Sequence, residues 1–387
     1  MMTKMIAVGT TTQNNKWVNG QSMMFQLFVD HLPQHRIKPV IVDFGLSISK
    51  YSNQTRVSGK ASLVKVVDNI TVIAKFVKAL ALNPKAPVYI NTSQTSVGFM
   101  RDFVLINLAS RAGRKVIAHQ FGANYEQYYS EQTPARKKLI INTLLKTEKI
   151  IVEGDFTKEQ FSFLPGYEDK VAVVPNGLPE KIDSSSILPK QISVQEPVEL
   201  FYLSNMIESK GFWDVLKAFE ILVDERKRNV KIAFSGKFYG ATEDKTYQTP
   251  EDAKNAFLDR TEKYRKSGLL TYHADGLYGS DKANAFLKAH FFLLPSYYIN
   301  EGQPASVLEA LAYGCVPITT RYRVIPMMVN EQNGAFVNPQ SPIEIADAVE
   351  MFMDNPQKYQ QHSEAAIRDY KEKFTAERYI EKLLTYF

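Results

Sequence analysis

Short apolar runs alternate with longer stretches of mixed character along most of this chain. The runs at 5–8, 40–44, 88–90, 116–119, 150–152 and 171–174 show little alternation of apolar with polar positions. Strands buried on both faces have that pattern. Between them, 22–31, 60–81, 95–112, 134–145 and 156–163 repeat apolar residues at helical spacing. Strands alternating with helices predict βαβ units and a parallel sheet. Residues 180–197, EKIDSSSILPKQISVQEP, break the rhythm with Ser and Pro and predict a linker. The rhythm then restarts, with strands expected at 199–203, 230–235, 269–273, 291–294 and 316–319. The matching helices are 211–226, 253–266, 280–289, 305–314 and 343–353, and 356–387 read as one or two closing helices. The expectation is an α/β chain of two doubly wound domains facing each other across a cleft. Ligands of such sheets bind beyond the carboxyl ends of the strands.

Composition narrows this picture. A chain of 387 residues, 44% hydrophobic and 23% charged, has globular usage and is neither disordered nor fibrous. One Cys excludes a disulfide framework and suits a reducing compartment. No apolar run is long enough for a transmembrane helix. The opening MMTKMIAVGTTT reads into a buried strand, too short for a secretory core. A cytoplasmic protein is therefore expected, able to sit peripherally on the inner face of a membrane. The charge is uneven. Residues 1–150 hold 20 basic and 7 acidic side chains, and the remainder 27 and 34. A basic first half suits an anionic partner. No RNA-binding or finger signature is present, so nucleic acid is not expected.

The segment FFLLPSYYINEGQPASVLEALAYGCVPITT, residues 291–320, carries the densest chemistry. A buried strand ends at Pro295, a polar loop follows, and a helix opens near Gln303–Ala305. A helix start offers free N–H groups and a positive dipole end to an anion. Gly302 permits close backbone approach, and Pro304 suits a first helical turn. Glu301 in the loop could hold sugar hydroxyls and Glu309 in the helix a ribose diol; the alternative is that both are ordinary solvated charges.

This segment resembles the signature of GT-B retaining glycosyltransferases, above all the large family 4 (glycosyl transferases group 1). The match runs through Pro295, Ser296, Glu301, Gly302, Pro304, Leu308, Glu309, Ala310, Ala312, Gly314, Pro317 and Ile318. Asn333–Gly334 and Pro339 fit later positions of the pattern. The likeness covers the second half well and the first half loosely. It implies a GT-B fold of two Rossmann-like domains. Residues 1–185 would face the acceptor and 186–369 would bind the donor, with 370–387 a helix packing back on the first.

The resemblance also distributes roles. In LSNMIESKG, residues 203–211, Lys210 matches the family's diphosphate-gripping Lys, whereas Asn205 stands where the family has Arg. Asn donates a hydrogen bond but brings no charge. His119 ends a strand and would reach the donor sugar near its reacting carbon. The loop GTTTQNNKWVNG, residues 9–20, is expected to meet phosphate or acceptor, with Gly20 and Gln21 at the start of the helix that follows. That loop is not G-x-G-x-x-G, which argues against a dinucleotide site. Gly236 fits a turn near the diphosphate, and Gly276–Leu277 would meet the base through backbone groups. Catalysis is expected from Glu301, His119 and Lys210. Donor binding is expected from Glu309, Asn205, Gly302, Gln303, Pro304, Ala305, Gly236, Gly276 and Leu277. EGDFTKEQF at 153–161 and PNGL at 175–178 fit the family's first-domain end. Cys315 reads as a packing residue.

The other His residues lack metal-ligand spacing and no D-x-D occurs, so no metal site is expected. No cofactor is expected beyond the nucleotide-diphosphate sugar, UDP first and GDP next, used to extend a glycan or lipid-linked acceptor. Two alternatives stay open: a sugar-nucleotide 2-epimerase and a non-catalytic GT-B binding subunit. Finally, Lys60, Lys65, Lys75 and Lys78 share one arc of the helix read over 60–81. Leu63, Val66, Ile70, Ile73, Val77 and Leu80 lie opposite. A basic amphipathic helix of this kind either lies on an anionic membrane or covers its own sheet.

Overall fold

The structure, a computed structural model, describes residues 2–12, 20–44, 63–180, 182, 186–193, 195–240 and 246–387, with backbone alone for 63–66. The chain divides into two compact units. One is Met1–Pro179 with Ala376–Phe387, the other Glu180–Thr375. Lys60 and Lys65 of the basic arc, and Leu63 and Val66 of its apolar side, fall outside the described side chains.

The first unit is a six-stranded sheet of order β2-β1-β3-β4-β5-β6, every neighbouring pair parallel. Its strands are β1 (Thr3–Gly9), β2 (Ile37–Asp43), β3 (Val88–Asn91), β4 (Val116–His119), β5 (Lys149–Val152) and β6 (Val171–Val173). Helices α1 (Gly20–His31), α2 (Leu63–Leu82), α3 (Ser96–Arg111), α4 (Tyr125–Ser130), α5 (Pro134–Leu144), α6 (Asp155–Glu159) and α7 (Tyr167–Lys170) connect them. Strand order reverses between β1 and β3. Two faces are packed. One carries Phe25 and Phe28 of α1 with Tyr89 and Ile117. The other carries Val72 and Phe76 of α2 with Ile90 and Leu105.

Local chemistry sets the helix ends. Thr95 caps α3 by accepting from the Gly98 N–H at 3.2 Å. Thr133 caps α5, with Pro134 in the first turn. Helix α6 stops at Glu159, short of the expected 163, because 160–166 turn away under Phe161 and Leu164.

Helix α2 corrects the predicted stripe. Val72, Phe76, Ala79 and Leu80 are buried, whereas Ile70 and Val77 are 61% and 47% exposed. The packed face is turned by roughly 100° from the expected one, at 100° per residue. Apolar side chains occupy nearly every side of this helix, so periodicity does not fix its phase. The aromatic ring of Phe76 does.

The second unit is a six-stranded parallel sheet of order β12-β11-β10-β7-β8-β9. It comprises β7 (Val198–Leu203), β8 (Val230–Ser235), β9 (Leu270–His273), β10 (Phe291–Leu294), β11 (Val316–Thr320) and β12 (Ala335–Val337). Helices α8 (Phe212–Glu220), α9 (Pro250–Lys266), α10 (Gly279–Lys288), α11 (Ala305–Ala312), α12 (Pro342–Met353) and α13 (Pro356–Lys373) surround it. A π-helical turn, Ile221–Glu225, extends α8. Thr249 and Asp252 form a capping box that starts α9 at Pro250. All four residues of β10 are buried, each large side chain contributing about 1.5–3 kcal/mol. Here strand order reverses between β7 and β10, and that position locates the chemistry.

The last helix, α14 (Ala376–Leu384), belongs to the first unit. It buries Tyr379, Ile380 and Leu383 in the cluster that holds Phe25 and Phe28.

Candidate active site

The loops after β7 and β10 leave adjacent strands at the reversal of order in the second sheet. A parallel sheet opens a crevice at such a point. They are tied together: the Tyr297 N–H donates to the Ser209 carbonyl at 2.7 Å. From one loop comes Lys210, ending a short 3-10 turn. Gly211 follows with φ +80°, and a Cβ there would lie 2.6 Å from the Pro295 ring. The two loops therefore approach more closely than a side chain at 211 would allow.

From the other loop comes Glu301, 4% exposed. Lys210 Nζ donates to its Oε1 at 3.3 Å and Ser296 Oγ to its Oε2 at 2.5 Å. The ammonium also lies 5.3 Å from the Tyr298 ring. Beneath, Tyr202 is buried, and burial together with the Glu301 charge pushes its phenol well above the usual range. Two of the three expected catalytic residues thus form one ion pair. Ser296 and Tyr298 join it, and sequence reasoning gave neither of them a role.

Four residues beyond Glu301 the chain enters α11. Its cap is Pro304, which offers no side-chain hydrogen bond. Gly302, Gln303 and Ala305 sit at this start, where first-turn N–H groups lack helical acceptors. Glu309 lies further along α11, 5% exposed. Its Oε1 accepts from Lys282 Nζ of α10 at 2.5 Å, and the same ammonium reaches Glu180 Oε1 at 2.5 Å. Burial raises the pKa of Glu309, Lys282 opposes this, and Glu180 adds to the rise. Burial works against the Lys282 charge, yet the two carboxylates raise its pKa. Neither Lys282 nor Glu180 was foreseen. Each is distant in sequence from Glu309 and carries no motif.

The remaining expected donor residues line neighbouring strand ends. Asn205 is exposed after β7. Gly236, after β8, backs directly onto it: a Cβ at 236 would lie 1.8 Å from the Ser204 carbonyl oxygen. Gly276 and Leu277 follow β9, but their N–H groups are already used. Gly276 N donates to His273 O at 3.1 Å and Leu277 N to Ser235 Oγ at 2.9 Å. Their carbonyls are the backbone groups left for a ligand. Cys315 is buried and free, as a packing residue would be.

In the first unit Gly20 and Gln21 open α1; the loop before them, 13–19, lies outside the described residues. His119 closes β4, fully buried. It shares a 2.8 Å hydrogen bond between Nδ1 and the Tyr89 hydroxyl and stacks on Phe121 at 4.0 Å. Burial lowers its pKa to about 3. In the parallel register Asn91 of β3 stands beside it. The two weaker motifs meet nearby, Asn176 Nδ2 donating to Glu153 Oε1 at 3.0 Å.

Among the described residues no group of three or more His, Cys, Asp or Glu side chains is arranged to hold a metal ion. Among the described residues no helix is long and apolar enough to cross a membrane.

The family model described as glycosyl transferases group 1 matches residues 184–369. No curated protein matches the chain. Solved structures match it over nearly all its length. A glycosyltransferase from Rickettsia africae ESF-5 superposes with a TM-score of 0.69 at 14% identity, covering 99% of this chain and 97% of that one. The Anabaena protein HepE, in complex with UDP, gives 0.66 at 12% over 99% of both. An α,α-trehalose-phosphate synthase (UDP-forming) from Burkholderia vietnamiensis gives 0.68 at 11%, covering 100% of this chain and 97% of that one. At such identities the likeness concerns the fold, two Rossmann-like units of the GT-B kind.

Proposed function

We propose, from the premise that this chain is a GT-B glycosyltransferase whose residues 184–369 belong to the glycosyl transferases group 1 family, that it transfers a sugar from a nucleoside-diphosphate sugar with retention at the anomeric carbon. The observation that carries this reading is the Lys210–Glu301 pair beside the start of α11, at the strand-order reversal of the second sheet. A diphosphate leaving group needs fixed positive charge. Lys210 and the α11 N–H groups supply it, a preorganised electrostatic device that calls for no metal. Glu301 holds donor-sugar hydroxyls, and Glu309 accepts the ribose diol. The acceptor attacks on the face the diphosphate leaves, and a departing phosphate oxygen takes its proton.

UDP is the favoured nucleotide, since the similar Anabaena structure is a UDP complex and the similar Burkholderia synthase is named as UDP-forming. The acceptor is a glycan or a lipid-linked glycan. Exposed Val67, Ile70, Val77 and Leu82 along α2, with exposed Lys75 and Lys78, support peripheral attachment to an anionic membrane.

The test is a thermal-shift series with UDP, GDP, ADP, CDP and NAD, each with and without EDTA. One nucleoside diphosphate stabilising the protein regardless of EDTA, and failing to do so in Lys210→Met, supports the reading. Stabilisation by NAD alone overturns it. Turnover of a nucleotide sugar without acceptor favours an epimerase instead.

A further inference from the structure

Glu309 presents a problem that its assignment to ribose does not solve. A carboxylate accepts from both hydroxyls of a diol only when it is ionised, because protonation turns one of its oxygens into a donor. Yet Glu309 is 5% exposed on a helix packed against β10 and β11, a place that disfavours charge. Glu180, a second carboxylate, shares its neighbourhood. The charged and titratable groups that face Glu309 are Lys282 from α10, Glu180 from the segment before β7, and Tyr313, which caps the C-terminal end of α11. Only Lys282 is positive. It meets Glu309 at Oε1 alone, and among the described residues no donor reaches Oε2. One oxygen is anchored, and the other stays available to a ligand.

The anchor is itself held. The Lys282 side chain is 13% exposed, so its ammonium has little room to follow solvent, and Glu180 Oε1 fixes it from the other side. Glu180 is the more exposed of the two carboxylates, 44% against 7%. Water screens it more strongly, so of two contacts of equal length the stronger hold on Lys282 belongs to Glu309. Three side chains from three segments thereby fix one carboxylate orientation.

We infer that Lys282 is a positioning residue for nucleotide recognition: its ammonium, bonded to Oε1, holds Glu309 turned so that Oε2 receives a ribose hydroxyl, and Glu180 aims that ammonium. The inference rests on the donor-site reading above and deepens it. It assigns ribose recognition to a triad, Glu180–Lys282–Glu309, of which only the last was legible in the sequence.

The experiment measures the affinity of the full chain for UDP and for 2′-deoxy-UDP by calorimetry from pH 5.5 to 8.5. It uses the wild type, Lys282→Met, Lys282→Arg and Glu180→Gln, with unfolding midpoints recorded for each. Wild type should prefer the ribonucleotide at every pH. Lys282→Met should lose at least tenfold in UDP affinity at pH 7, lose most of the ribose preference, and regain affinity as pH rises and Glu309 ionises. Lys282→Arg should restore the preference, and Glu180→Gln should weaken it by a few fold. A purely structural salt bridge would lower the unfolding midpoint while leaving the ratio of the two affinities and their pH profile unchanged. That result overturns the inference and leaves the donor site standing. A wild-type protein that binds no UDP, and no other nucleoside diphosphate in the same assay, overturns the donor-site reading and the inference with it.

Discussion

Lys210 Nζ lies 3.3 Å from Glu301 Oε1 although 91 residues separate them, and both side chains are largely enclosed, at 15% and 5% exposure. Removing the cation leaves a carboxylate buried without its partner, which costs about 3 kcal/mol. Lys210→Met should therefore lower stability by that order in urea unfolding. It should also lower transfer rates by about a hundredfold, the scale of losing one preorganised charge at a leaving group. The pair variant Lys210→Met/Glu301→Gln separates the two effects. It should recover most of the stability, because a neutral amide keeps the Ser296 bond without needing a cation. It should recover none of the rate. Equal recovery of both would make the pair a structural bridge only.

Gly236 and Gly268 both have positive φ, +151° and +72°, yet their substitutions should differ sharply. At 268 an added Cβ meets nothing within 4 Å, so Gly268→Ala carries only the left-handed strain of about 1 kcal/mol. At 236 the Cβ would fall 1.8 Å from the Ser204 carbonyl oxygen, which is backbone and does not yield. Gly236→Ala should cost about 3 kcal/mol in chemical unfolding. It should also displace Asn205 and weaken nucleoside-diphosphate binding in calorimetry. Unchanged binding in a folded Gly236→Ala protein would remove the β8 turn from the donor site.

These two sites also show what the sequence makes legible. Strands Val230–Ser235 and Phe291–Leu294 fall at the expected residues, and the second, buried at all four positions, carries the unbroken apolar signature of a strand packed on both faces. Glu301 and Lys210 were found through motifs whose residues lie close in sequence. Lys282 was not, because its meaning comes from facing a residue 27 positions away across two helices. The phase of α2 was missed for the opposite reason, a surplus of apolar residues rather than a lack of signal. Helix α4 was also missed. Its six residues, YEQYYS, show little periodicity, and tertiary stacking of Tyr125 on Phe161 and of Tyr129 on Phe163 holds them.

Asp214, in the first turn of α8, carries a pKa raised to about 6 by burial. Its unfolded value is near 3.8, so between these limits the unfolded chain releases the proton first and stability falls as pH rises. At pH 7 the folded state carries the full penalty of a half-enclosed charge. Asp214→Asn should accordingly raise the unfolding midpoint at pH 7.5, with the gain shrinking toward zero as pH approaches 3.8. A gain of equal size at both pH values would mean that packing, not charge, sets the effect.

His119 shows the reverse dependence. Burial between Tyr89, Phe121 and Tyr379 holds its folded pKa at about 3, against 6.5 for an unburied imidazole. As pH falls through 6.5 the unfolded chain takes up a proton that the folded chain refuses, so the stability present above 6.5 drains away toward pH 3. Between pH 7.5 and 5.5 this one group should remove about 1.4 kcal/mol. His290, in the second unit, is lowered to about 4 by burial and by Lys190, and acts in the same direction. The two contributions separate by substitution. His119→Asn should cost stability at pH 7.5 through the lost Tyr89 bond, yet show a shallower decline with acid than wild type in urea titrations. An unaltered slope would mean that His119 titrates normally and is reached by water, which would also open it to a donor sugar. A flattened slope places its imidazole, neutral across the physiological range, as a hydrogen-bonding group at the end of β4 rather than as an acid or base.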